Sequence, residues 1–554
     1  MTAEFDAPVG IVGAGPVGLV LAARLAQFGV RSIVLEADPH LVKRGSKACL
    51  IQGDVLEVLD KFGVGDAIAE EGVVWRVGHT YIRDKEIRTE HYPDRPGFGP
   101  FVNISQFRIE QIVADVVEAD PNCRLEWNHS VIGVDQDEDG VTARTRAGEA
   151  KQSFRFRYLI ACDGVRSELR EMVGARWTGY SHGDRFLITD IRARLPLVKE
   201  RHFHYDPSSN RGRQLVMHPQ PDDIWRIDWQ LPPEADIDRE RESGAFDRRV
   251  RAVIGDVPYE VDWVSTYRFH QRVVDRMRVG RVMLAGDAAH ALPPYGARGM
   301  NSGIQDVDNL AWKLAAVLDA RAEETLLDTY HDERHAAAEE NLRITEATIR
   351  FMVPPSRVRR AARSVLLQLA GPFRQMRKHV NSGRMAEPFV YADSPIVART
   401  HPLVGSLAPD AKLPETDDPP PGADDPRRLR HLFGEGFVCL YFCADTGDAS
   451  AFAKGATALD VPVPVNTVLV LPASHTDPES DDVELPDGVK AVRDAHGDLL
   501  AAYAGLTSAW WLIRPDGHIA AHGTEPADVE PAVAAATGAV RSASDDTPRK
   551  QVFT

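Results

Sequence analysis

The chain has 554 residues, 43% hydrophobic and 27% charged, the balance of a folded globular protein and a length that exceeds one compact core. Its formal charge of −17 leaves no surplus of Lys and Arg to neutralise a phosphate backbone, which excludes nucleic acid as a main partner but not a local arginine cluster for an anionic ligand. Five scattered cysteines (Cys49, Cys123, Cys162, Cys439 and Cys443) make no disulfide framework and predict a reducing, cytoplasmic setting.

The first predicted elements are a strand, a glycine turn, a helix and a second strand. Val9–Val12 is an apolar run of strand length, Leu19, Ala22, Ala23 and Ala26 recur at helical spacing, and Arg31–Glu36 returns as a strand. The apolar stretch Pro8–Ala26 has Glu4 and Asp6 in place of a basic flank and three internal glycines, so it does not read as a signal peptide. No run of about eighteen apolar residues occurs, and no transmembrane helix is expected. Within the βαβ opening stands Gly13-Ala-Gly15-Pro-Val-Gly18, with Glu36 twenty-three residues after Gly13. Such glycines permit a tight turn, close approach of backbone to a pyrophosphate and helix-on-strand packing, while the acid reaches ribose hydroxyls. Taken alone, the pattern says dinucleotide, either NAD or FAD.

Next comes Leu159-Ile-Ala-Cys-Asp163-Gly164-Val-Arg-Ser167-Glu-Leu-Arg170, an apolar strand ending in Asp-Gly before a helix. Asp and Ser suit a capped turn without any ligand, so this segment is ambiguous by itself. Residues 176–275 change texture: Asp223-Ile-Trp-Arg-Ile-Asp-Trp-Gln230 alternates as half-exposed strands do, predicting an antiparallel sheet. A third motif follows, Gly280-Arg-Val-Met-Leu-Ala-Gly286-Asp287-Ala-Ala-His290, continuing through Pro293, Pro294, Gly296 and Arg298 to Gly299-Met300-Asn301. Here a strand presents a carboxylate to a sugar-like hydroxyl chain, and a Pro/Gly loop feeds a helix N-terminus suited to a ring that becomes anionic on reduction. That helix is predicted over Ser302–Leu318 with Ile304, Val307, Ala311, Leu314 and Leu318 on one face. Helical texture runs to about residue 380. Pro414–Pro426 is acidic and proline-rich and reads as a linker. Beyond it lies a module of about 130 residues, in which Cys439 and Cys443 sit in an apolar run as core residues.

In this order and at these separations the three motifs resemble the flavoprotein aromatic hydroxylases, the family of para-hydroxybenzoate, phenol and 3-(3-hydroxyphenyl)propionate hydroxylases. The resemblance covers residues 5 to about 390. It implies an α/β fold: a Rossmann-type FAD-binding domain (residues 1–175 and 276–400, discontinuous) interleaved with an antiparallel-sheet substrate domain (176–275). A linker (401–426) and a thioredoxin-like C-terminal domain without CxxC (427–554) follow. By the same resemblance Gly13, Gly15 and Gly18 hold the FAD pyrophosphate, Glu36 the adenosine ribose and Asp287 the ribityl chain. Arg44 and Gln106 touch FAD, Gly299, Met300 and Asn301 lie against the isoalloxazine, and Asp163 serves FAD and NAD(P)H alike. The implied reaction uses NADH or NADPH as co-substrate and O2, passing one oxygen atom to a small phenolic aromatic substrate through a flavin C4a-hydroperoxide. No metal, nucleic acid or membrane enters it, and a homodimer is the candidate assembly.

A phenol ionises near pH 10, and its anion is the better nucleophile, so the site needs a cation to lower that value or a base to take the proton. The middle sheet offers His204, Tyr205, His218, Asp228, Tyr267 and His270, with Arg213 and Arg268 as anion partners. Tyr267 and His270 are favoured as catalytic residues because they precede the third flavin motif, although alternation along a strand lets only one of them point into the pocket. Flavin halogenases share the implied fold, but their WxWxIP signature is missing here: Trp225 and Trp229 are four apart and read as sheet residues. The alternatives are epoxidation or Baeyer–Villiger insertion on a polycyclic natural product by the same flavin chemistry, and a non-catalytic flavin-binding redox sensor.

Overall fold

A computed structural model gives the fold. It describes residues 5–43, 48–93, 97–232, 234–352, 357–370, 375, 385–413, 428–456, 459–472, 485–486, 488–494 and 496–538. Arg44 and the Pro414–Pro426 segment lie outside the described residues. The chain is mixed α/β and forms two compact units, the first from residues 1–315 with 334–387 and the second from 316–333 with 388–554.

The first unit holds two eight-stranded sheets. In one, Ala7–Val12 lies between Ser32–Leu35 and Ala150–Ala161, all parallel, with Val282–Leu284 parallel on the far side of Ala150–Ala161 and Cys123–Glu126 beyond Ser32–Leu35. Val9, Ile11, Val34, Leu159, Ile160 and Leu284 are buried, as strands covered on both faces require. This arrangement lines up the carboxyl ends of Ala7–Val12, Ala150–Ala161 and Val282–Leu284. The glycine motif, the Asp163 turn and the Gly286 turn follow those three ends.

The second sheet runs His290–Ala291, Glu260–Val274, Trp177–Arg192, Ile224–Leu231, Gln214–Pro219, Arg201–Tyr205, Val77–Ile82 and Lys85–His91. Neighbours are antiparallel except Arg201–Tyr205 and Val77–Ile82, which pair in parallel. The sheet thus reaches beyond the 176–275 window of the sequence reading, taking two strands from before it and one from after. Val77–Ile82 alternates between half-buried and buried side chains, so it needs a partner sheet, and Arg201–Tyr205 supplies the free edge. One face packs Leu187, Leu215, Met217, Trp225, Ile227 and Trp229 against Phe246, Val250 and Ile254 of the helix Ala245–Ile254. The other carries Ile82, Phe186, Phe203, Tyr205 and Val216 with Tyr295, Ile349 and Met352.

The second unit is built on a five-stranded sheet ordered Val489–Asp494, Val465–Pro472, Phe437–Phe442, Ala509–Ile513 and Ile519–Gly523. The first three strands are parallel and the last two antiparallel. Residues 388–413 belong to this unit, whereas the sequence reading divides them between the FAD domain and a linker. The reason is packing: Val404, Ala408, Ala411 and Leu413 join Val438, Leu440, Trp511 and Ile513 in one core, and Ala398, Gly405 and Ala408 donate backbone hydrogen bonds to Ala520, Ile519 and Gly517. Arg514 is fully buried and donates to Glu333 (2.5 and 2.9 Å) and to Asp516. Leu326, Leu327 and Tyr330 of the embedded segment are likewise buried.

Candidate active site

The glycine loop is shaped by contacts that no side chain could share. Gly13 has φ +105°, and a Cβ there would stand 2.6 Å from the carbonyl oxygen of Cys162. At Gly18 a Cβ would come within 2.0 Å of the Gly13 carbonyl. Gly15 differs: a Cβ would meet nothing within 4 Å, so its missing side chain leaves open space rather than relieving a clash. That space adjoins the N-terminus of helix Pro16–Gln27, whose cap Gly15 offers no side-chain hydrogen bond to the free N–H groups. The backbone there is a cradle for an anion. Glu36, at the end of the second strand, accepts from Ala14 N (2.7 Å) and Asp38 N (2.9 Å). It therefore braces the loop, a role that spacing alone does not reveal.

Asp163 ends the strand Ala150–Ala161. Ser167 caps the short helix Glu168–Met172 by accepting from Arg170 N (2.9 Å), so the turn has its own structural cap. Asp163 Oδ2 accepts from Leu169 N (3.3 Å), but Oδ1 is buried without a partner. Burial raises this carboxyl above the ordinary range, with Ser167 and the Leu169 N–H pulling the other way. A sealed, unmatched acceptor of this kind calls for a donor from outside the chain.

The third motif closes on the first two. Gly286 (φ +57°) and Gly303 both press on Val17, where added Cβ atoms would lie 3.0 and 2.7 Å from its Cγ2. Asp287 sits in the turn Gly286–Ala288, with its Oδ1 3.9 Å from where a Cβ of Gly299 would be. Asn301, buried in the first turn of helix Arg298–Leu318, accepts from Gln52 N (3.0 Å) and donates to Leu50 O (3.0 Å) and Ala297 O (2.7 Å). It clamps the Pro293–Met300 loop to the strand Leu50–Gln52; Met300 is buried beside it. Gln106, at the start of helix Gln106–Ala119, is bonded to Ala48 N (3.4 Å) and Glu110 (2.8 Å).

Beneath the loop lies a buried polar network centred on Asp306, which is outside the three motifs. Asp306 is fully buried and accepts from Gly286 N (3.0 Å), His290 (2.6 Å) and Arg334 (2.7 Å). Burial opposes its ionisation, but the His290 and Arg334 charges outweigh it and hold the carboxyl below its ordinary value. The helix Arg298–Leu318 also buries polar side chains off its apolar face: Asp306, Asp308, Asn309 and Lys313 are all buried.

On the sheet face opposite the tryptophans, strand register places Tyr267 beside Phe186 and aligns His218, Arg226 and Asp190 across three strands. Arg226 is paired with Asp190 through Nε (2.8 Å) and Nη2 (2.7 Å). Tyr267 packs against the cluster of Phe186, Tyr205 and Tyr295, and burial together with the Asp287 charge raises its phenol. His270 is hydrogen-bonded through Nδ1 to Ser181 Oγ (2.9 Å), and alternation turns it to the other side of the strand. The structure thus separates the two favoured candidates. His204 stacks on Tyr81 with ring centroids 4.4 Å apart, and Tyr205 is buried in the apolar cluster. Arg268 is exposed. Among the described residues no His/Cys/Asp/Glu group could hold a metal ion, and no helix is long and apolar enough to cross a membrane.

These features fit FAD: an open glycine cradle at a helix N-terminus, an unmatched buried carboxylate oxygen, and a carboxylate beside the clamped loop. Comparison with known proteins agrees. Residues 6–345 match the FAD binding domain family. A 3-(3-hydroxy-phenyl)propionate/3-hydroxycinnamic acid hydroxylase from Mycolicibacterium gilvum is 29% identical over 530 residues, covering 94% of this chain and 90% of the relative. A protein of the same name from Burkholderia cenocepacia is 30% identical, covering 79% of each chain. The fold is similar to that of the flavin-dependent monooxygenase PieE in complex with FAD and substrate, with a TM-score of 0.77 at 22% identity over 97% of this chain and 100% of PieE. Aklavinone-11 hydroxylase in complex with FAD and aklavinone gives 0.75 at 22% identity, again over 97% and 100%. The chain belongs to the FAD-binding-domain family of flavin-dependent aromatic hydroxylases and monooxygenases, and FAD is its cofactor.

Proposed function

We propose that this enzyme hydroxylates a phenolic ring, consuming NADH or NADPH and O2. The observation that carries the reading is Tyr267, which packs among Phe186, Tyr205 and Tyr295 while feeling the charge of Asp287. It ties an aromatic-lined sheet face to the flavin loop. When bound, FAD supplies the redox chemistry that takes hydride from the nicotinamide and activates O2. The chain's own residues do the rest. Gly13, Gly15 and Gly18 with the following helix N-terminus hold the pyrophosphate, Glu36 serves the adenosine ribose, and Asp287 serves the ribityl chain. Asp163 supplies an acceptor to cofactor or nicotinamide. Gly299, Met300 and Asn301 set the loop against the ring, and Phe186, Tyr267 and Tyr295 keep water from the reacting atoms. The five-stranded unit is a thioredoxin-like module without redox chemistry of its own: Cys439 and Cys443 are buried in or beside its sheet, and burial pushes both thiols up to about 12. We further infer a cytoplasmic enzyme, assembled as a homodimer.

A second reading, oxygenation of a polycyclic natural product, draws on a relative named rifampicin monooxygenase (Streptomyces venezuelae, 33% identical over 62% of this chain and 71% of the relative) and on the aklavinone hydroxylase. NAD(P)H oxidation across a panel of simple phenols and polycyclic phenols, with oxygenated product quantified beside hydrogen peroxide, decides between them. Absence of stimulation by every member overturns both.

A further inference from the structure

Resting on that reading, we propose that Asp228 is the catalytic base that takes the substrate's phenolic proton, with His218 as the neutral hydrogen-bonding group beside it. Both lie on the same sheet face as Tyr267: Asp228 pairs across to Val216 and Ile188, His218 to Arg226, and Tyr267 to Phe186. His218 and Asp228 stand on adjacent strands one pairing step apart, which puts their side chains about 7–8 Å from each other.

Neither side chain makes a hydrogen bond or ion pair among the described residues; Asp228 Oδ1 and His218 Nδ1 are sealed without partners. A buried polar group is ordinarily satisfied, and leaving one unmatched is destabilising. Two such groups on neighbouring strands of one face are difficult to retain unless something outside the chain completes them. Both residues are surrounded by protein on all sides, yet both keep accessible surface while Arg226 between them has almost none. Cys49 relates this face of the sheet to the flavin loop. Its thiol lies against Arg226 and its carbonyl accepts from Gln220 Nε2 (3.4 Å). Cys49 immediately precedes Leu50, whose carbonyl is held by Asn301. The carboxylate therefore faces the side of the sheet from which the flavin loop is reached.

The chemistry suits the task. Burial pushes the Asp228 carboxyl up to about 7, with Arg226 opposing and Asp190 adding to the rise. Such a base is still ionised in about half the molecules at neutral pH and is stronger than an ordinary carboxylate. Burial, with Arg201 and Arg226, holds His218 well below the ordinary histidine value, so its ring is neutral and can accept or donate without adding charge. In the step, the phenol O–H bond breaks, an O–H bond forms on Asp228, and the electron pair stays on the ring oxygen as phenolate. No redox partner is involved.

The test uses the FAD-loaded enzyme with phenol, 2-naphthol and 3-(3-hydroxyphenyl)propionate as probes. With a probe that wild type hydroxylates, kcat/KM should rise with pH through about 7. Asp228→Asn should keep its FAD, lose that limb and fall by roughly a hundredfold or more, the loss being smaller for more acidic phenols. Asp228→Glu should recover part of the rate and a shifted limb. A wild-type profile flat across neutral pH, or an Asp228→Asn enzyme with the wild-type rate and limb, overturns Asp228 alone and leaves the hydroxylase reading standing. If Asp228→Asn fails to hold FAD, the wild-type profile and the Asp228→Glu limb decide. No probe stimulating the wild-type enzyme overturns the proposed reaction on these phenols, and the base with it.

Discussion

Gly15→Ala separates the ligand-binding reading of the glycine loop from a merely structural one. The added methyl meets no atom within 4 Å, and Gly15 already has an extended conformation (φ −73°, ψ 179°) open to any residue. Removing glycine's freedom from the unfolded chain stabilises by about 0.4–1 kcal/mol, while alanine is a poorer helix N-cap by roughly the same amount. The two terms offset, so the apoprotein should melt within a few degrees of wild type. Binding should behave otherwise. The methyl occupies the space through which a pyrophosphate reaches the Pro16–Gln27 N-terminus, and losing charged hydrogen bonds there costs about 1.5–3 kcal/mol, roughly a 10- to 150-fold weaker Kd. The assay is FAD titration of apoprotein by flavin fluorescence quenching, beside a melting curve with and without FAD. Gly18→Ala is the contrast: its methyl would stand 2.0 Å from the Gly13 carbonyl, so the apoprotein itself should be destabilised, by about 1–3 kcal/mol. Wild-type FAD affinity in Gly15→Ala would refute the assignment of this loop to the cofactor.

Two further outcomes follow from the same geometry. Asp287→Ala should weaken FAD about tenfold or more by removing a charged acceptor, whereas Tyr267→Phe should retain FAD and divert the reducing equivalents of NAD(P)H from hydroxylated product toward hydrogen peroxide, measured by peroxide yield per NAD(P)H. A chain ending at Glu387 should still bind FAD, since the flavin motifs lie in the first unit, but should melt lower and aggregate because Leu326, Leu327 and Tyr330 lose their cover; a soluble, folded truncation that binds no FAD would contradict this.

The parts of the site that were legible in the sequence are those whose chemistry is local. A glycine that must have positive φ, a strand ending in Asp-Gly and a loop entering a helix leave marks within a few residues. Pairing across long separations leaves none: Val77–Ile82 and Arg201–Tyr205 share a sheet, yet neither segment names the other. Face assignment failed for a related reason. Alternation shows that Tyr267 and His270 diverge, but which side meets the flavin loop depends on Cys49, Gln220 and Asn301, brought together from three distant segments. For the same reason Asp228 and His218 rank behind Tyr267 and His270 in the sequence alone. Glu36 shows the reverse limit, since its spacing marked it as a ribose ligand while its bond to Ala14 N emerges only from the fold.

The embedding of residues 316–333 in the second unit has a consequence for biosynthesis. Glu333 meets its partner Arg514 across 181 residues of chain, and the buried apolar residues Leu326, Leu327 and Tyr330 belong to the same unit, whose remainder begins only at residue 388. At roughly 5–20 residues per second, a ribosome takes on the order of 10–40 seconds to supply Arg514. Throughout that interval the nascent chain carries an uncovered apolar turn and a carboxylate without its guanidinium, in a protein whose first unit also cannot close until residue 387 has emerged. Yield in the cell should therefore depend on chaperone capacity during translation more than on the stability of the finished molecule.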